Sequence, residues 1–215
     1  RGVKMVWANI IAAFGGNEDS QKLVLHARTS QWTKTVYDPY VNMLRGTVEA
    51  FAAAVGGVNS LHVSHFDEAF ALPNEFSRRI ARNIQLIIQE ETQVTRTADP
   101  AGGSWYVEHL TNEITSKSWE LFQHIESEGG ILSALEKGIP QKLVEEVSAK
   151  KKADIENRKL VFVGATMYPN SNDKFKTFND DSFLKNERDR LRSFTGHQLI
   201  SIDDHGFTSY IEAFM

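Results

Sequence analysis

Five short patterns in this chain carry side chains able to do chemistry. His62-x-x-His65, followed by Asp67 and Glu68, offers the imidazoles and carboxylates of a metal site or an acid–base pair. His26 and Arg28 stand two residues apart, and so do Ser60, His62 and Ser64. Gly102-Gly103-Ser104 precedes a helical pattern, where backbone amides could cradle a phosphate. Arg78, Arg79 and Arg82 could bind an anion, and Lys150-Lys151-Lys152 forms a short basic run. Each has a plainer reading. Histidines three apart at a strand end point to opposite faces, unlike the one-face pair of a metal-binding helix, so a structural or lumen histidine is expected and no metal ligand is assigned. Asp67 and Glu68, as neighbours, point apart and make a poor acid–base pair. Paired glycines usually form turns. The arginines read as a solvated helix face with ion pairs. The lysine run has Glu145, Glu146, Asp154 and Glu156 around it and reads as a solvated helix.

The elements that must position these residues follow from periodicity. Val3, Val6, Trp7, Ile10, Ile11 and Phe14 recur at helical steps until Gly15-Gly16. No cap precedes this helix, which leads to the expectation of a piece cut from a longer chain. Leu23 to Arg28 reads as a strand. Asp38-Pro39 reads as an N-cap with proline at the first helical position, and Val41, Leu44, Val48, Phe51, Ala52 and Val55 form the stripe of the helix that follows. Val58 to Ser64 reads as a second strand. Pro73-Asn74 opens a helix with Phe76, Ile80, Ala81, Ile84, Ile87 and Ile88 on one stripe. Thr92 to Ala98 is predicted as a third strand, and Asp99 to Ser104 as a tight loop. A long helix carries Val107, Leu110, Ile114, Leu121 and Ile125. Gly129-Gly130 stops it, a short helix spans about Ile131 to Lys137, a charged helix begins after Pro140, and Lys159 to Gly164 is strand-like.

This alternation means a parallel α/β sheet. Its spacing suits the final strand–helix units of a (β/α)8 TIM-type barrel over residues 1–168, since a whole barrel takes about 250 residues. A small open α/β sheet is the alternative. Residues 169–215 read as a linker, rich in Asn, Asp, Lys and Arg, and then the start of a further segment. Strand alternation puts His26 and Arg28 on one face, and Ser60, His62 and Ser64 on one face of the next strand. Either that face looks into a lumen holding a polar ligand or water, or these residues sit at strand ends, where polar side chains are common.

Composition narrows the partners. The 215 residues are 41% hydrophobic, 10% aromatic and 24% charged, with a net charge of −4, so the basic face of a nucleic-acid binder is not expected. No apolar run approaches the ~20 residues of a membrane helix, and no basic-then-apolar signal opens the chain. The chain has no cysteine, which excludes disulfides and thiolate chemistry and fits the cytoplasm.

Longer motifs add a resemblance. Ala27-Arg28-Thr29-Ser30-Gln31-Trp32, Ser60-Leu61-His62, Phe66 to Pro73, Arg79 to Glu91 and Asp99 to Glu108 together resemble the methylmalonyl-CoA mutase family, with coverage from about Arg1 to Tyr168. The resemblance implies the last strands of a (β/α)8 barrel that threads acyl-CoA along its axis. It also implies adenosylcobalamin-dependent radical isomerisation of methylmalonyl-CoA to succinyl-CoA. By position it assigns His26 and Ser60 to substrate binding, and Glu68 and Ser64 to the cofactor, Glu68 at the adenosyl ribose.

Three neighbours depart from the catalytic pattern: Arg28 and Asn59 each stand where it has Gln, and Ser64 stands where it has Asn. Asp203-Asp204-His205-Gly206-Phe207-Thr208 matches only part of the family's cobalt-ligating Asp-x-His-x-x-Gly loop and is read as a coincidental match. The resemblance is therefore strongest to the small, non-catalytic subunit of a heterodimeric mutase, with a fragment of a catalytic chain as the alternative. No catalytic residue is assigned. The partners implied are the other mutase subunit and, in the complete enzyme, acyl-CoA and adenosylcobalamin, the last not expected to bind this chain alone.

Overall fold

The computed structural model describes residues 1–172. It contains α1 (Gly2–Ala13), β1 (His26–Arg28), α2 (Val41–Val55), β2 (Ser60–His62), α3 (Glu75–Glu90), α4 (Trp105–Ser127), α5 (Gly130–Glu136) and α6 (Ile139–Glu156), with 3₁₀ turns at Gln31–Thr33 and Val94–Arg96. The protein is thus a helix-rich α/β fold around a small parallel sheet. β1 and β2 run parallel, with His26 opposite Ser60, Ala27 opposite Leu61 and Arg28 opposite His62. Helices pack in the pairs α1 with α4, α2 with α3, α4 with α5, and α5 with α6.

The core lies between α2, β2 and α3. Ala50, Val63, Ala81, Ile84 and Ile88 are buried there, with Ala54, Leu61, Ile80 and Val94 packed against them. α2 turns a different face inward from the one its apolar residues predict. Asn42, Gly46 and Ala50, four residues apart, are its buried positions. Leu44 and Val48 are 66% and 68% exposed. Small residues let the two backbones approach: a Cβ on Gly46 would lie 3.9 Å from Ile84 Cδ1. Close approach and many dispersion contacts outweigh the area that the larger side chains would bury alone. Asn42 is tolerated inside because its amide is fully engaged. It accepts from Thr35 N at 3.0 Å and donates to Thr35 O at 2.8 Å and Phe66 O at 2.9 Å.

Several expected boundaries are corrected. Asp38 is not the N-cap of α2. Its φ is +44°, and the helix starts at Val41 after Tyr40. The first two strands are three residues each rather than six or seven. The predicted third strand, Thr92 to Ala98, is instead a 3₁₀ turn whose lead residue Gln93 has φ +62°. Val94 there joins the core, and a groove of about 540 Å³ separates this segment from Val58–Leu61. Lys159 to Gly164 forms no strand either, only a bridge between Val163 and Met167. The two-stranded sheet is less than the three-strand portion of a barrel read from the spacing.

The opening of α3 agrees with its sequence signal. Asn74 Oδ1 accepts from Ser77 N at 2.9 Å, and Ser77 Oγ accepts from Asn74 N at 3.0 Å, a reciprocal cap. Near the end of the described chain, Arg45 of α2 reaches across to it. Its guanidinium donates to Val163 O and lies 5.9 Å from the Phe162 ring centroid. The linker read from residue 169 and the Asp203 to Thr208 motif lie almost wholly or wholly outside the described residues.

Candidate functional site

The polar side chains predicted on one sheet face do meet there. In both strands the outer two residues are exposed and the middle one is partly buried. Ala27 and Leu61 therefore face the helices, and His26, Arg28, Ser60 and His62 face away. The parallel register sets His26 beside Ser60, and His26 Nδ1 lies 2.7 Å from Ser60 Oγ. The pairing is reinforced just past both strands, where Thr29 N donates to His62 O at 3.1 Å and Ser64 N donates to Thr29 Oγ1 at 2.9 Å.

Arg28 links the remaining residues. Its Nε donates to Ser64 Oγ at 3.1 Å, and a terminal guanidinium nitrogen donates to Glu68 Oε1 in a short ion pair. The Arg28 side chain is 54% exposed, whereas that of Glu68 is 5% exposed. Glu68 Oε2 is buried without a hydrogen-bond partner among the described residues. The His62 imidazole titrates below the ordinary histidine range. Partial withdrawal from water is the first cause, the Arg28 cation the second, and Glu68 opposes both.

The other patterns resolve differently. His65 pairs with the buried Asp67, Nδ1 to Oδ1 at 2.6 Å. Asp67 and Glu68 thus serve separate partners. Among the described residues no group of three or more His, Cys, Asp and Glu is arranged to hold a metal ion. The loop before α4 is a turn held from outside itself: Gly103, at φ +77°, donates to Glu108 Oε1 of α4 at 3.4 Å, and Arg1 pairs with Asp99 and Glu108. Arg78, Arg79 and Arg82 lie on the exposed side of α3. Among the described residues no helix is long and apolar enough to cross a membrane.

Two supports were not legible in the sequence. Asn59, one of the three departing positions, accepts from Leu25 N and from Lys4 Nζ, both at 3.0 Å, and so ties the starts of the two strands to α1. Lys34 has a fully buried side chain whose ammonium pairs with Glu49 at 3.0 Å and donates to Ser30 O at 3.1 Å. Glu49 also accepts from Ser30 N, so this one pair fixes the loop that leaves β1. A lysine in a polar stretch gives no local sign that it is inside. The Arg28–Ser64–Glu68 tie did have a signal: positions 28 and 64 both depart from the pattern expected of a catalytic chain, and they bond to each other.

An adenosyl ribose held by Glu68 needs a carboxylate oxygen that a hydroxyl can reach. Here one oxygen is bound by Arg28 and the other is enclosed, so the residues present do not fit that group in this arrangement.

The family pattern of methylmalonyl-CoA mutase matches residues 1–198. The chain is 44% identical over 170 residues to methylmalonyl-CoA mutase of Escherichia coli (strain K12), covering 78% of this chain and 24% of that protein. It is 46% identical over 169 residues to the methylmalonyl-CoA mutase large subunit of Porphyromonas gingivalis, covering 78% and 24%. It is 45% identical over 170 residues to a probable mitochondrial methylmalonyl-CoA mutase of Caenorhabditis elegans, covering 78% and 23%. The chain spans about a quarter of the length of these relatives.

Proposed function

Because this chain belongs to the methylmalonyl-CoA mutase family, we propose that it forms part of a mutase interconverting methylmalonyl-CoA and succinyl-CoA, as a portion of the small, non-catalytic subunit. The enclosure of Glu68 carries this reading. A segment that offers a cofactor no open acceptor serves assembly rather than chemistry. On this reading β1 and β2 belong to the end of a (β/α)8 barrel, and His26 and Ser60 line its polar interior. Adenosylcobalamin and acyl-CoA act in the partner subunit, and the complex works in the cytoplasm. The names of the relatives favour a second reading, a segment of a catalytic chain, since several are large subunits.

The test uses the complete gene product that carries this chain. Supplied with adenosylcobalamin and methylmalonyl-CoA, it should form no succinyl-CoA alone, and turnover should appear when the second subunit is added. Turnover by the lone product would establish the second reading.

A further inference from the structure

One oxygen of Glu68 is held by a single residue, Arg28. The Glu68 side chain is 95% buried by the complement of its 5% exposure, yet its second oxygen has no donor among the described residues. A buried carboxylate with an unused oxygen leaves hydrogen-bonding capacity that a hydroxyl could satisfy. Arg28 occupies the other oxygen, more than half exposed and held at two points. Ser64 takes its Nε and is itself fixed, being buried and donating its backbone N–H to Thr29 Oγ1. Glu68 Oε1 takes the guanidinium nitrogen. The planar fork spans both anchors at once, which an ammonium on a flexible stem does less well.

We propose that Arg28 is a lock on a hydroxyl-binding site: it decides whether Glu68 receives a neutral sugar hydroxyl or stays closed. The choice of a ribose hydroxyl as ligand rests on the family reading given above; the lock itself rests on the geometry. Glutamine at position 28 is shorter and neutral. It leaves Glu68 its negative charge while withdrawing the guanidinium that occupies Oε1.

The experiment titrates adenosine, as the ribose probe, into the full chain and into Arg28→Gln, Arg28→Lys and the double variant Arg28→Gln/Glu68→Gln. Binding is followed by ligand-detected NMR, and folding by circular dichroism. The wild-type chain should bind at least tenfold more weakly than Arg28→Gln, and the double variant should lose the gain. A folded Arg28→Gln that binds no better than wild type overturns the lock, and so does a gain that survives in the double variant. Should Arg28→Gln fail to fold, Arg28→Lys is decisive, because it keeps the charge and breaks only the two-point hold: tighter adenosine binding supports the lock, and none overturns it. Subunit turnover is measured separately, so catalysis by the lone gene product would displace the small-subunit reading without touching this result.

Discussion

At the scale of single residues, burial decides which charges matter. The Lys34–Glu49 pair is enclosed on the lysine side and anchors three backbone or hydroxyl partners. Lys34→Met should therefore cost about 3 kcal/mol or more, because it strands Glu49 in a site built for a cation. Urea unfolding measures this, and Lys34→Met/Glu49→Leu should recover part of the loss. His62 gives a pH signature. Its folded-state pKa lies below the unfolded one, so the unfolded chain takes up protons first as the pH falls. The contribution of His62 is present above the ordinary histidine value of about 6.5 and is lost as the pH drops through the lowered folded value. The melting temperature should fall on acidification through that window, and less in His62→Gln; an identical fall in both would remove His62 as the cause. Strand alternation placed His26 with Arg28, and Ser60 with His62, on one face of their own strands, because a period of two needs only local sequence; the parallel register then brings the two pairs together. The bond from Arg28 to Glu68 joins residues 40 apart and depends on the turn after β2, which no local pattern describes.

At the scale of elements, caps and small residues determine the packing. The reciprocal cap of Asn74 and Ser77 should be worth about 1 kcal/mol, so Asn74→Ala should lower stability by that order in denaturant unfolding. Gly46 is a sharper probe. Its Cβ position meets only Ile84 Cδ1 at ordinary contact distance, so Gly46→Ala should stabilise by up to about 1 kcal/mol through helix propensity. Gly46→Leu should instead cost about 1–3 kcal/mol by forcing α2 off α3. If Gly46→Leu is tolerated as well as Gly46→Ala, the helices do not approach through this residue. Helices were readable from sequence because their hydrogen bonds are local. The places of β1 and β2 were readable but not their lengths, and Thr92 to Ala98 was misread, because a strand exists only where a neighbour pairs with it: that segment has strand composition, but no paired neighbour among the described residues makes it one. The α2 stripe misled for a related reason, since its inward face follows the partner helix rather than the largest side chains.

At the scale of the whole molecule, the described surface is unusually apolar. Trp105 is 91% exposed, and Leu44, Val48, Val144 and Leu132 are each more than 60% exposed. Together with a two-stranded sheet whose outer edges are unpaired among the described residues, this predicts self-association of the isolated chain. Light scattering should show species larger than a monomer, and Leu44→Asp/Val48→Asp should shift them toward the monomer; a stable monomer that binds no apolar dye would refute this. The grip of Arg45 on Phe162 and Val163 joins positions 118 apart in the chain. Closing so long a loop has a large entropic cost, so that contact should form after the core of α2, β2 and α3 has condensed. The order should reverse on the way out. The strap around Val163 becomes the first part to open, and amide exchange there sets the clock against which the slower opening of the core is read.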